Sequence, residues 1–459
     1  MRFSALPLLC CLVCTTFCAT NISWANDTKP HIPKIANKLF ALKLNEAIEI
    51  GFQTNPEYAS ALNAEKASKE VLKQAHALYK PTIDINADTG YESTDDQGTR
   101  ARSTNGTETL YRYETGLTVT QRIFDGFEGL SEIDRGYYAS QAAKHNLHQT
   151  TQNVALNITQ AYLNVIQQRK RVQISNENID AHLNIVNQIK DNVDAGRSTE
   201  ADEQQARARL ARAEALKANI ESDLKAAEAR FTQEVGMYPP QLATFTSPKR
   251  EILDDIEKEI AEALITSPEI KSYEARSKAA EAAIDSARSD YYPHVDLQLN
   301  ARQGEDLGGL PGKDTSASAL FTMNWNLYRG GADIARTQES IFRSEQSKNE
   351  LLYIQRDIEQ RVRSTWAQMI AAQKQAKAYN RQIQANKKIV NAYWDQFSLK
   401  RRTLLDVLNA QNELFTSRQS ALDAEFQERI SIYNLLALKG KLLDALNIDF
   451  KYQAFAEKQ

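Results

Sequence analysis

Residues 397–414 read FSLKRRTLLDVLNAQNEL, and residues 193–210 read VDAGRSTEADEQQARARL. Set 204 positions apart, the two stretches align Thr403 with Thr199, Asp406 with Asp202, Ala410 with Ala206 and Leu414 with Leu210. Each is a short polar break between two long runs of helical periodicity, so each reads as the tip of a helical hairpin. Two such hairpins in register make the chain an internal duplication.

Outward from the first tip, residues 129–194 hold no proline and, after Gly129 at their start, a single glycine, Gly136. A helix over that span would be about 100 Å long. Ile158, Val165, Val172, Ile179, Val186 and Val193 recur every seven residues, a repeat that points to coiled-coil packing and not to a globular core. Adding 204 gives Val362, Met369, Ala376, Ile383, Val390 and Phe397, all apolar. The second half therefore repeats the long helix over 333–398. Shorter helices follow the tips over 199–235, ending at Gly236, and over 403–440. The helix before the first long one, about 57–79, and the one after its tip have a combined length close to that of the long helix, so they are expected to stack end to end beside it.

Between the first short helix and the long one, the period changes to two. Ile83, Ile85, Ala87, Thr89 and Tyr91 alternate with Thr82, Asp84, Asn86 and Asp88, and after a polar loop (95–106) Tyr111, Tyr113, Leu117 and Val119 alternate with Arg112, Glu114 and Thr118. This predicts a β-hairpin over 81–124. Its counterpart over 293–328 sets Val295, Leu297, Leu299 and Ala301 against Asp296, Gln298, Asn300 and Arg302. Phe321, Met323 and Trp325 are then set against Thr322 and Asn324, with Leu320 alone spoiling the polar side. The glycine-rich segment 303–315 reads as the second outer loop. The chain thus divides into repeat 1 (44–240), a linker (241–253), repeat 2 (254–447) and a tail (448–459).

Each strand has the length of a tilted membrane strand, with one apolar and one polar face. Four strands cannot close a barrel, and open edges are not tolerated in lipid. Three chains would supply twelve strands around a polar lumen. The expected fold class is an α + β membrane protein: a homotrimeric 12-stranded β-barrel, four strands per chain, continuous with a long α-helical coiled-coil barrel. Lipid-facing positions would be Ile83, Ile85, Leu117, Val119, Val295, Leu297, Phe321 and Trp325, with tyrosines and Trp325 near the strand ends as an interfacial girdle. The competing reading is a structural coiled-coil protein, at the surface or in the periplasm, that transports nothing.

Composition fits an exported chain. A formal net charge of -3 gives no basic footprint for nucleic acid. Arg2, the apolar run Ala5–Ala19 and Ser23-Trp24-Ala25 before Asn26 read as a signal peptide over 1–25, followed by a tether over 26–43. All four cysteines (Cys10, Cys11, Cys14, Cys18) lie in that leader, which leaves no thiol chemistry for the mature chain and no lipoprotein-type context around them. His145 and His148 lie three apart on a helix but lack a third ligand, and Asp95-Asp96 and Gly304–Asp314 read as outer loops instead of calcium sites. No metal, cofactor or catalytic pairing is expected.

The chain resembles the TolC family of outer-membrane channel-tunnels. The resemblance is carried by Pro81 and Pro293 at the strand entrances, Phe124-Asp125-Gly126 and Tyr328-Arg329-Gly330-Gly331 at the exits, and Arg402-Thr403-Leu404-Leu405-Asp406-Val407-Leu408-Asn409-Ala410 at the second tip. It covers residues 44–447 and leans toward the type I secretion branch. It implies a homotrimer in the outer membrane that docks on a periplasmic adaptor and an inner-membrane ABC or proton-driven transporter, and that catalyses nothing. It also implies a periplasmic gate at Phe397, Arg402, Asp406 and Asn409, joined by Asp202. Phenylalanine and asparagine stand there where the family can carry tyrosine and aspartate. A ring of Asp406 carboxylates would favour cations. Gly196, Arg197, Thr199, Lys400, Arg402 and Thr403 are the candidate adaptor contacts, although the same glycine and threonines also suit a turn and a helix cap.

Overall fold

The computed structural model describes residues 41–448 apart from 103, 105, 245–247 and 249–250. The leader with its cysteines, the tether up to residue 40 and the tail beyond 448 lie outside the described residues. Repeat 1 comprises α1 (Leu44–Thr54), α2 (Pro56–Ala77), β1 (Thr82–Thr94), α3 (Gln97–Arg102), β2 (Glu108–Phe124), α4 (Glu128–Asp194) and α5 (Glu200–Val235). Repeat 2 comprises α6 (Ile256–Thr266), α7 (Pro268–Arg288), β3 (His294–Glu305), β4 (Lys313–Asn324), α8 (Ala332–Ser398) and α9 (Leu404–Leu438), and α10 (Leu442–Ala445) follows. The starts of α1, α2 and β1 map onto those of α6, α7 and β3 at a spacing of 212, and those of α4 and α5 onto α8 and α9 at 204. The change arises in the second hairpin, whose loop and returning strand are shorter.

The 67-residue helices α4 and α8 are the masts of the molecule. α4 packs against α2 and α5 on one side and against α7 and α9 on the other, and α8 packs against α7 and α9 in turn. The short helices stack in pairs. The Thr54 hydroxyl donates to the Val235 carbonyl oxygen at 2.9 Å, so the end of α5 abuts the start of α2. Likewise a Cβ at Gly440 would lie 2.8 Å from Pro268 Cδ, where the end of α9 meets the start of α7. Gly236 (φ 79°) and Gly440 (φ 72°) turn the chain away at these junctions, in a conformation that suits glycine. The wall is therefore four helical columns wide: α2/α5, α4, α7/α9 and α8.

The largest apolar core sits at these junctions. Ile48 and Phe52 of α1, Val154, Ile158 and Tyr162 of α4, Phe231 of α5 and Phe426 and Leu436 of α9 are all buried there. The Tyr162 hydroxyl shares its proton between the carbonyl oxygens of Leu42 and Ala243, each at 2.7 Å, where a parallel bridge joins Leu42 to Leu242.

One contact breaks the symmetry of the repeats. Lys439 Nζ, 1% exposed, lies 3.0 Å from Glu259, which is fully buried, and 2.9 Å from Glu262. The corresponding residues of repeat 1 are Val235, Ala47 and Ile50. The same helix junction is thus apolar in one half and ionic in the other. Breaking a buried pair strands a charge, whereas replacing both partners by apolar groups is often neutral. Lys439→Val alone is expected to destabilise the detergent-solubilised protein by about 3–5 kcal/mol. Adding Glu259→Ala, which installs the repeat 1 chemistry, should recover most of the loss; thermal melting of the two variants measures this.

Candidate functional site

Two regions carry the candidate chemistry: the sheet at one end of the helices and the tips at the other. The sheet has the order β1-β2-β3-β4, antiparallel throughout. Directly opposed residues of an antiparallel pair share a face. The register therefore sorts the sheet into rows. Ile83, Val119, Leu299 and Ala319 form one row and Ile85, Leu117, Ala301 and Ala317 the next, with Leu297 beside Phe321 and Val295 beside Met323 on the same face. The other face holds Asp84, Thr118, Asn300 and Ser318 in one row and Asn86, Gly116, Arg302 and Ser316 in the next. Leu320 sits opposite Gln298 on this polar side.

On the apolar face nothing among the described residues covers Ile85 (78% exposed) or Phe321 (74%). On the polar face Arg112 bonds Asp88 and Glu114, and Arg302 lies 3.3 Å from both Glu114 and Asp314. Tyr91 and Tyr111 meet edge to face at 5.1 Å near the far end, and Phe124, Phe127 and Tyr292 form an edge-to-face chain at the helix end. Trp325 stands one residue past β4, its indole N–H donating to the Tyr291 carbonyl oxygen at 3.2 Å. Tyr113 and Phe124 are eleven residues apart on β2. At about 3.3 Å per residue and a tilt near 45°, that spans about 26 Å, the height of an apolar membrane band. The loop expected over 303–315 is tighter than its glycines suggest: the ladder continues to Glu305 opposite Lys313.

The tips are superposable turns. In each, the long helix ends in a Schellman motif: Gly196 N–H donates to Val193 and Arg197 N–H to Asn192, while Lys400 N–H donates to Phe397 and Arg401 N–H to Gln396. The next helix opens with a capping box. Thr199 and Thr403 each donate their hydroxyl to an oxygen of Asp202 or Asp406 at 2.8 Å, and each aspartate accepts from the threonine backbone N–H. Gly196, Thr199, Lys400, Thr403, Asp202 and Asp406 thus all make the turn. The Thr403 hydroxyl and backbone N–H, with Arg402 3.7 Å away, hold the Asp406 carboxyl below its ordinary range.

The remaining tip residues pack as follows. The Arg402 guanidinium stacks on Tyr393 at 4.0 Å and its Nε donates to Gln396. Phe397 is half-buried against Trp394 at 5.8 Å, and Asn409 accepts from Arg209 of α5 at 3.3 Å. Arg197 is exposed. Tyr393 was not singled out by the sequence, although its spacing of four before Phe397 places both on one face of α8.

Above the turns, Ile185, Val186 and Ile189 of α4 and Leu404, Val407 and Leu408 of α9 form an apolar plug joining the two hairpins. Higher still the α4–α9 seam becomes polar. Gln167 and Arg171 bond Asp423, Glu177 bonds Arg418 at 3.0 Å, and Asn178, Ser175 and His182 are buried. The heptad residues Val172 and Ile179 are only half-buried, whereas Val165 before them and Val186 after them are buried. His145 and His148 lie far up α4, where His148 contacts Gln152 at 3.1 Å. Among the described residues no group of three metal-ligating side chains occurs.

Two outcomes follow for this end of the molecule. Thr403→Ala removes a cap and should cost about 1 kcal/mol, read as faster amide exchange at Leu405 and Asp406. Burial, with the positive charge of Arg209 behind it, holds the His182 imidazole below its ordinary pKa of 6.5. The unfolded chain then binds more protons at low pH, so the seam's stability is complete above pH 6.5 and declines as pH falls below it. Exchange of α4 amides near His182, corrected for intrinsic rate, should accelerate on acidification, and His182→Gln should flatten that dependence.

The arrangement has close counterparts. Outer membrane efflux protein BepC of Brucella suis biovar 1 is 26% identical over 87% of this chain and 85% of its own length. The alkaline protease secretion protein AprF of Pseudomonas aeruginosa is 21% identical over 89% and 86%. In three dimensions the outer membrane protein VceC of Vibrio cholerae matches with a TM-score of 0.76 at 15% identity, covering 87% of this chain and 96% of that one. The outer membrane efflux protein family matches residues 51–237 and 260–441, the bodies of the two repeats, and the chain belongs to that family.

Proposed function

We propose that three copies of the chain form a channel through the outer membrane, a 12-stranded barrel continuous with a helical tunnel. The observation that carries this is the sheet register, which lays an uncovered apolar face on one side of four strands and a charged, hydrogen-bonded face on the other. The apolar face meets lipid and the polar face lines the lumen. β1 and β4 are open edges, and α2/α5 and α8 are the outer columns of the wall in the same order. A neighbouring copy that pairs β4 with β1 therefore also sets α8 beside α2. Ile334, Phe342 and Tyr353 of α8, between 65% and 67% exposed, would be covered by that neighbour.

The protein is the outer-membrane channel of an export system, as the family and the secretion and efflux relatives support. In this reading its tips face a periplasmic adaptor and, beyond it, an inner-membrane transporter that supplies the energy. The gate lies at the tips, where the plug and the Arg209–Asn409 hydrogen bond fasten the two hairpins, the Arg402–Tyr393 stack braces the second, and the seam above the plug is polar. Three Asp406 carboxylates near one axis would favour cations at the closed end.

Arginine on the lipid face costs about 2–4 kcal/mol near mid-membrane. Leu297→Arg and Phe321→Arg are expected to abolish heat-resistant trimers in the outer-membrane fraction, while Asn300→Arg and Ser318→Arg, on the opposite face of the same strands, should leave them. Equal behaviour of the two pairs would contradict the assignment of faces.

A further inference from the structure

Duplication makes two seams of the wall comparable. Within one copy α4 packs on the α7/α9 column, and the duplicated counterparts of these elements are α8 and the α2/α5 column. What the first seam buries, its counterparts leave bare. Ala142 and Gln152 of α4 and Ser272 and Ala275 of α7 are buried, whereas the corresponding Gln346 and Arg356 of α8 and Ser60 and Asn63 of α2 are exposed. A head-to-tail contact between those two bare faces closes a ring of copies. Each contact across the first seam therefore names a pair across the second, at a spacing of 204 for α4, α5 and their counterparts and of 212 for α2 and α7.

Two contacts carry over in kind. Lys278 lies over the Tyr138 ring at 5.7 Å, and the corresponding residues are Lys66 and Phe342. Gln152 donates to the Gly440 carbonyl oxygen at 2.9 Å, and the corresponding residues are Arg356, again a donor, and Gly236. A third contact is reversed in sign. Glu177 of α4 accepts from Arg418 of α9 at 3.0 Å, but Arg381 stands in the place of Glu177 and Glu214 in the place of Arg418. Both are exposed, and among the described residues neither forms an ion pair. The ionic contact of Arg171 with Asp423 has no such counterpart, since Gln375 and Asn219 occupy those places.

We infer that copies of this chain select one another through Arg381 of α8 and Glu214 of the neighbouring copy's α5, an ion pair of opposite polarity to Glu177–Arg418 inside each copy. The inference rests on the export-channel reading, in which three copies close one wall. A duplicated chain is open to two mispairings: α8 on another copy's α7/α9 column, or α4 on another copy's α2/α5 column. The first sets Arg381 against Arg418, and the second sets Glu177 against Glu214. Both correct seams thus join opposite charges and both mispaired seams join like ones, so repulsion discriminates as much as attraction does. An exposed pair is screened by water and salt, which suits it to choosing the partner more than to holding it.

The test uses the full-length chain in its own cells. No cysteine occurs beyond residue 18, so Glu214→Cys and Arg381→Cys in one chain present a single pair of thiols to a short bis-maleimide. Linked dimers and trimers should form with both cysteines and not with either alone. Arg381→Glu or Glu214→Arg alone should speed dissociation of the detergent-extracted trimer about tenfold, because each of three interfaces then meets a like pair. The double reversal should return the rate to within about twofold of the unaltered chain. Lys388→Glu, an equal change of charge about two turns along α8, should leave the rate within about twofold. Trimers in which positions 214 and 381 do not link, single reversals without effect, a double reversal no slower than the singles, or an equal response to Lys388→Glu would each overturn the pairing while the channel reading stands. Absence of trimers of the unaltered chain from the outer membrane would overturn both.

Discussion

An amphipathic sheet with two unpaired edges is the constraint on which this structure turns. In hydrocarbon every backbone N–H and C=O must find a partner inside the protein, at a penalty of several kcal/mol for each that does not. β1 and β4 each leave a row of such groups open, beside an apolar face that no element among the described residues covers. A single copy therefore cannot rest in a bilayer as it stands. The helical columns carry the same order as the strands, so one set of copies that closes the sheet also closes the wall beneath it. In the proposed trimer, membrane insertion and tunnel formation are one event.

Duplication supplies the geometry, and departures from it mark where the halves have diverged. The helix ends, Schellman turns and capping boxes recur at fixed spacing. Against that background Lys439–Glu259 replaces an apolar junction, Lys400 replaces Gly196, and Leu399 and Leu405 replace alanines. The first change is internal and fixes α6 against the end of α9. The others lie on the outer surface of one tip, where the same turn is made with lysine in place of glycine.

Most of the architecture was legible because it rests on local periodicity. Alternation in 82–91 and 294–302 and the uninterrupted helical pattern from Gly129 fixed which segments are strand and which are helix, and Thr199 and Thr403 marked the caps. What stayed hidden depends on which distant residues meet. Nothing near Arg402 in the sequence says that its guanidinium stacks on Tyr393 or that Arg209 reaches Asn409. The burial of His182 likewise requires knowing which helices pack against its face of α4. Lys439 and Glu259, 180 residues apart, each look like an ordinary surface charge until the fold brings them together. The tip aspartates were legible as acidic, but their engagement in capping boxes depends on the backbone of the turn.

The measurement closest to the central claim is the molar mass and shape of the mature protein extracted from the outer membrane in detergent, by light scattering with negative-stain imaging. The account predicts an elongated particle of three copies, with a short barrel at one end and a long tunnel at the other. A monodisperse single copy, extracted without a barrel and stable as such, would contradict it.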